Sequence, residues 1–170
     1  IQDGQTITVT DKDMSRFVMT LQEAVDLVLR SCMEMKGGEI FVTKMPVMRI
    51  DTLADVMISL NNDAKRDIQK KYIGSKPGEK IYEELMTDEE ITRACELENF
   101  FVVLPAYRGF YKHLSRDYES LVNENVTDAY SSANATAMSF NETKEFLVSR
   151  NIVEIPTSEF SERYWPGDSN

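Results

Sequence analysis

Lys76 and Glu79 place a cation and an anion three residues apart within residues 73–85, which read IGSKPGEKIYEEL. Between them, Pro77 fixes φ and Gly78 permits a tight turn. An ammonium group beside exposed backbone N–H groups attracts a phosphate, and a carboxylate accepts hydrogen bonds from the hydroxyls of a sugar. These residue types therefore suit a site for a phosphate and a sugar, and ordinary surface charges on a turn are the alternative.

Two elements are needed to position this turn. Residues 68–73 predict a strand that ends at it, and Ile81 and Leu85 lie four apart, which predicts a helix beginning at Glu79. The N-terminus of such a helix would add its dipole to the attraction for a phosphate. Ligands in α/β proteins gather at the C-terminal ends of strands, so the turn lies where a site is expected.

The rest of the first 105 residues alternates short strands with amphipathic helices, which predicts an α/β fold. Thr20 and Glu23 form a capping box for a helix to about Met35. One apolar stripe of this helix is predicted to be core, and its members are Leu21, Ala24, Val25, Val28, Cys32 and Met35. A second amphipathic helix carries Leu53, Val56, Met57 and Leu60. Strands are predicted at residues 6–9, 16–19, 39–44 and 100–104. A capping box of Thr87 and Glu90 predicts a helix at 87–98.

Periodicity weakens beyond residue 105. Residues 106–130 are tyrosine-rich and charged, and predict an extended excursion. Ser139 and Glu142 then cap a final helix to about Arg150, with Phe146 and Leu147 facing inward. We therefore divide the chain into an α/β core, residues 1–105, and a C-terminal extension, residues 106–170, whose final helix (139–150) packs on the core.

Composition excludes several classes of function. The net charge of −10 argues against nonspecific binding to nucleic acid or to an anionic membrane. No apolar run approaches the roughly 20 residues of a membrane span, and no signal peptide is recognisable, so a cytoplasmic protein is expected. Cys32 and Cys95 are predicted to be buried thiols of a reducing compartment, and a single His113 argues against a metal site. Neither a G-x-x-G-x-x-G loop nor a convincing Y-x-x-x-K pair is present.

Three motifs, in the same order, carry a resemblance to a known family. KPGEKIYEEL at residues 76–85 is similar to the RPGEKLYEEL motif of nucleotide-sugar 4,6-dehydratases and 4-epimerases, and TVTDKDMSRFVMT at 8–20 is similar to their TVTDPEMTRFFMT. GGEIFVTKMPVM at 37–48 leans toward the N-acetylglucosamine dehydratase branch. Tyr130, Ser131 and Ser132 resemble a YSSD segment without its acid. The chain thus resembles the C-terminal substrate-binding domain of extended short-chain dehydrogenase/reductases of the UDP-N-acetylglucosamine 4,6-dehydratase and UDP-glucose 4-epimerase family, which serves capsular polysaccharide biosynthesis.

The resemblance implies a set of substrate-binding residues. Arg16 and Lys76 would contact the diphosphate of a UDP-sugar, and Glu79 would contact the ribose hydroxyls. A guanidinium suits a diphosphate because its planar fork grips two oxygens at once. The family has arginine where Lys76 stands, and a surface arginine answering Asp11 and Asp13 is the alternative for Arg16. No catalytic, cofactor-binding or metal-binding residue is assigned.

The resemblance also implies a larger parent enzyme. That parent would bind NAD or NADP on an upstream Rossmann domain, which this chain lacks, and would be a homo-oligomer. Residues 1–4 read as the end of a helix, so a fragment that is inactive alone is expected. A free-standing, non-catalytic module that binds a nucleotide sugar or assists assembly is the alternative.

Overall fold

The structure, a computed structural model, describes residues 6–61, 68–107, 109 and 115–153. The predicted helix end at residues 1–4 lies outside the described residues. Within them, the helices are α1 (Leu21–Glu34), α2 (Ile50–Asn61), α3 (Asp88–Ile91) and α4 (Phe140–Ser149). The strands are β1 (Ile7–Val9), β2 (Ser15–Phe17), β3 (Ile40–Thr43), β4 (Val47–Arg49), β5 (Lys70–Tyr72), β6 (Glu84–Met86), β7 (Ala94–Leu97), β8 (Phe100–Val103), β9 (Leu121–Asn123) and β10 (Tyr130–Ser131). The predicted class, short strands combined with amphipathic helices, is confirmed.

The core forms on both faces of an antiparallel sheet with the order β3-β8-β7-β9. Side chains alternate across a strand, so Phe100 and Val102 of β8 face one cluster and Val103 faces the other. The first cluster contains Cys95, Leu97, Leu104 and Tyr118, and the second contains Met86 and Ala94. Both clusters are assembled around the strand that the apolar run at residues 100–104 predicts.

Three smaller pairings connect the site to this core. β1 and β5 run parallel, with Ile7 opposite Lys70, so both strands end at the same edge. β2 pairs antiparallel with β4, and β6 pairs antiparallel with β10. Beside them, α4 packs on α2 through Phe146, Leu147 and Val56, all of which are buried. The predicted final helix is therefore confirmed.

The predicted helix beginning at Glu79 is wrong. Residues 80–83 are not helical, and Glu84–Met86 is strand β6. Ser15 donates its N–H to the carbonyl oxygen of Ile81 at 2.9 Å, and Ser132 donates its N–H to that of Glu83 at 2.8 Å. Because these partners keep the segment extended, the attraction of a helix dipole is absent from the site.

Two other predicted helices need correction. The capping box of Thr87 and Glu90 forms, but α3 ends at Ile91 and the following residues pair with β8 as strand β7. The stripe of α1 is not core, since none of the residues of α1 is buried. Cys32, on that stripe, is exposed, whereas Cys95 is buried as predicted.

The prediction that residues 106–130 form an extended excursion also needs correction. Leu121–Asn123 of this segment adds strand β9 to the main sheet.

Candidate functional site

Two hydrogen bonds between Lys76 and Glu79 close the turn at residues 76–79. Glu79 donates its N–H to the carbonyl oxygen of Lys76 at 3.0 Å, and Lys76 donates its N–H to Oε2 of Glu79 at 2.9 Å. Gly78 has φ +88°, which with Pro77 before it gives a type II turn. Lys76 and Glu79 are both exposed, so the carboxylate orders the turn while the ammonium stays in solvent.

Arg16 joins strand β2 to the residues that follow this turn. Its Nη2 donates to the carbonyl oxygen of Lys80 at 2.7 Å, and its Nη1 donates to those of Ser15 at 2.7 Å and Ile81 at 3.3 Å. The guanidinium thus holds the backbone immediately after Glu79. A guanidinium has five N–H donors, so donors remain for a ligand beside the turn. The structure brings Arg16 and the turn together on adjacent segments.

Glu83, Ser15 and Ser132 form a junction behind Arg16 that the sequence analysis did not identify. Oε2 of Glu83 accepts from the N–H of Phe17 at 3.0 Å, and its Oε1 lies 3.8 Å from Nε of Arg16. Oγ of Ser132 accepts from the N–H of Glu83 at 2.9 Å and lies 2.9 Å from Oγ of the buried Ser15. Glu83 and Ser132 belong to two of the family-like motifs, and that was the available signal.

Strand β5, which leads into the turn, is fixed to the first two turns of α2 by a cluster of charged residues. Nζ of Lys70 lies 2.6 Å from Oδ1 of Asp51 and 2.9 Å from Oδ1 of Asp55. Tyr72 donates its hydroxyl to Asp51 at 2.7 Å. Burial raises the pKa of Asp51, but the hydrogen bonds from Lys70 and Tyr72 outweigh it and hold that pKa below its usual value. Asp51 is therefore ionised at neutral pH and anchors the strand.

Asp51→Asn is expected to flatten the acid limb of the stability curve. Because the folded-state pKa of Asp51 is lowered, its contribution is complete above about pH 4, the pKa of an unfolded aspartate, and is lost as the pH falls through the folded-state pKa. Urea unfolding between pH 7 and pH 2 measures this, with Asp117→Asn at an exposed position as the control. Parallel curves for the natural chain and Asp51→Asn would contradict the prediction.

A groove of about 270 Å³ lies elsewhere, between the first half of α1, the end of β3 and the turn joining β7 to β8. Its lining mixes apolar and charged side chains, including Leu27, Arg30, Lys44 and Pro46. Lys44 is paired with Glu96 at 2.7 Å. Lys76 and Glu79 do not line it, so the groove and the turn are different surfaces.

The sequence matches the model of a known protein family. A family model described as polysaccharide biosynthesis protein matches residues 1–105, more than half of the chain. This chain belongs to the polysaccharide biosynthesis protein family. The resemblance to extended short-chain dehydrogenase/reductases of nucleotide-sugar metabolism is confirmed by this match and by the relatives of the chain.

The chain is similar to several described proteins. The chain is 31% identical over 156 residues to UDP-glucose 4-epimerase of Rickettsia rickettsii. The aligned region covers 91% of this chain and 44% of that protein. It is 49% identical over 109 residues to an uncharacterised membrane protein of Methanocaldococcus jannaschii, covering 62% of this chain and 33% of the relative. The crystal structure of Pen from Bacillus thuringiensis matches with a TM-score of 0.71 and 36% identity, covering 89% of this chain and 42% of that one.

The chain therefore spans between a third and just under half of the length of these relatives. Among the helices that the structure describes, none combines the length and the apolar character of a membrane span. Membership of the polysaccharide biosynthesis protein family follows from the matched residues.

Proposed function

We propose that this chain is the nucleotide-sugar-binding part of an NAD(P)-dependent nucleotide-sugar 4,6-dehydratase or 4-epimerase that acts on a UDP-sugar in bacterial polysaccharide biosynthesis. The parent enzyme is cytoplasmic and homo-oligomeric, and the chain alone is inactive. Arg16 and Lys76 bind the diphosphate, and Glu79 binds the ribose hydroxyls.

The proposal rests on the hydrogen bonds that Arg16 donates to the carbonyl oxygens of Lys80 and Ile81. This contact fixes one cation of the site relative to the turn that bears the other. A site built in this way is preorganised, so little ordering is needed when an anionic ligand binds. The exposed ammonium of Lys76 then has freedom to reach a phosphate oxygen, while Glu79 is already ordered by the N–H of Lys76.

The residues of this chain do not fit the dinucleotide itself. A backbone that approaches a pyrophosphate needs closely spaced glycines, and the seven glycines of the sequence form no G-x-x-G-x-x-G loop. The task of this chain is orientation: holding the UDP group places the sugar for reaction, an effect that can lower a barrier by several kcal/mol.

Lys76→Ala is expected to weaken binding of a UDP-sugar about tenfold, because a charge-assisted hydrogen bond contributes roughly 1.5–3 kcal/mol. Glu79→Gln should weaken it less, since the amide keeps one acceptor. Calorimetric titration of the chain with UDP-glucose and UDP-N-acetylglucosamine measures both variants. Lys71→Ala, which removes an exposed lysine from the preceding strand, is the matched control.

Unchanged affinity in Lys76→Ala would remove Lys76 from the site. Failure of the natural chain to bind either nucleotide sugar would refute binding by this chain alone and leave the complete parent enzyme to be titrated. Conversion of a UDP-sugar by the 170 residues, supplied with NAD or NADP, would refute the proposal that they are inactive alone.

A further inference from the structure

The outer face of α1 is an apolar surface that no described part of the chain covers. The helix has no buried residue, although its sequence is strongly amphipathic. Its exposed apolar residues, with the exposed fraction of each, are Leu21 (83%), Val25 (44%), Val28 (58%), Leu29 (59%) and Met33 (85%). These residues recur three or four positions apart, so their side chains lie on one side of the helix and form a continuous face.

This face is held in place by contacts on the rest of the helix. Glu23 completes the capping box with Thr20 and also accepts from Nη2 of Arg150 at 2.8 Å. At the other end, Oε2 of Glu34 accepts from Oγ of Ser120 at 2.7 Å. Between them, Leu27 packs against the core cluster of the main sheet. The helix is therefore anchored at both ends and at its centre, and its apolar face points outward in a fixed orientation.

We infer that the outer face of α1 is the docking surface for the remaining part of the parent enzyme, and this inference rests on the proposed function. The occupant is an apolar surface of that part of the protein. The matched regions leave more than half of the length of each named relative outside the alignment, so the relatives have chain available to cover the face. The net charge of −10 opposes pairing of two copies of this chain through the same helix.

Two cysteines provide a test with an internal control. Cys32 lies on α1 and is exposed, whereas Cys95 is fully buried in the main sheet, where burial raises the pKa of its thiol. In the 170-residue chain, a maleimide reagent should label Cys32 rapidly and Cys95 slowly. In the complete parent enzyme, expressed from its gene, labelling of Cys32 should be at least tenfold slower, and Cys95 should behave as before.

A matched pair of substitutions tests the same surface without chemical labelling. Val28 and Val122 are 58% and 60% exposed, on α1 and on β9 respectively. Val28→Asp and Val122→Asp should each leave the urea midpoint of the 170-residue chain nearly unchanged. In the parent enzyme, only Val28→Asp should lower the midpoint and restore rapid labelling of Cys32.

Equal labelling rates of Cys32 in the chain and in the parent enzyme would overturn the inference. So would protection of Cys32 in the isolated chain accompanied by a dimer in sedimentation, because the occupant would then be a second copy. If Cys32 is protected in the parent but no UDP-sugar binds, the docking surface stands and the proposed function fails. The two proposals are therefore separately refutable.

Discussion

Arg16→Ala is expected to lower the affinity for a UDP-sugar at least 100-fold and the free energy of unfolding by about 2–4 kcal/mol. The guanidinium donates to three backbone carbonyl oxygens, and its side chain is only 26% exposed. Its removal takes one donor from each of these carbonyls, although Ile81 keeps the N–H of Ser15, and loosens the segment after the turn. One substitution thus removes a proposed phosphate ligand and the contact that positions the other cation.

Arg16→Lys separates these two effects. A lysine keeps the charge but lacks the planar fork, so it can replace only part of the contacts to Lys80 and Ile81. We expect intermediate stability and weak binding, measured by urea unfolding and calorimetry. Arg49→Ala is the control, because Arg49 lies opposite Ser15 on β4 and its side chain is 56% exposed. Full affinity in Arg16→Ala would exclude Arg16 from the site, and full affinity in Arg16→Lys would show that the planar fork is not needed.

Lys70→Met is expected to lower the free energy of unfolding by about 2–3 kcal/mol at pH 7, since it leaves two carboxylates facing each other without a cation. Nζ of Lys70 lies within 2.9 Å of both Asp51 and Asp55. Asp55 is 46% exposed, so the loss should be smaller than for a fully buried group. Burial lowers the pKa of Lys70, but hydrogen bonds to the two aspartates raise it well above its usual value.

The sign of the pH dependence follows from that shift. The contribution of Lys70 is fully present below about pH 10, the pKa of an unfolded lysine, and is lost as the pH rises through the folded-state pKa. The deficit of Lys70→Met should shrink as the pH falls below about 4, the pKa of an unfolded aspartate, and through the lowered folded-state pKa of Asp51. The double variant with Asp51→Asn should recover at least about 1 kcal/mol relative to additivity. Additive losses would show that the pair is not coupled.

Local patterns predicted the elements whose causes are local. The capping boxes at Thr20, Thr87 and Ser139 each involve residues three positions apart, and all three form. The run at 100–104 is apolar and β-prone, and it is the central strand β8. These elements were readable because neighbouring residues determine them.

Long-range contacts decided the elements that the sequence analysis misjudged. Ile81 and Leu85 have helical spacing. The carbonyl oxygen of Ile81 nevertheless accepts a hydrogen bond from Arg16, which is 65 residues away in the sequence. Residues 94–97 have good helix formers, yet pairing with β8 makes them a strand, which shows tertiary context overriding propensity. The stripe of α1 correctly identified an apolar face but not its neighbour, since periodicity does not reveal what covers a surface.

The candidate site also combines features that local patterns predict with features that depend on long-range contacts. Lys76 and Glu79 were proposed from residue type and spacing and then from motif resemblance, Arg16 from the resemblance, and the roles of all three stay predictions. The turn was readable from Pro77 and Gly78, because each favours a particular φ. The junction with Glu83 and Ser132 left no periodic trace, because its hydrogen bonds join distant segments, and the signal available was the place of both residues in family-like motifs.

The link between Ser15 and Ser132 spans 117 residues of sequence. Closing so long a loop has an entropic cost, and folds dominated by such distant pairings acquire their native order slowly. The junction of Ser15, Glu83 and Ser132 behind Arg16 can therefore close only once the chain has been synthesised as far as Ser132. During translation, the turn at residues 76–79 emerges well before Ser132, whose hydroxyl accepts from the N–H of Glu83.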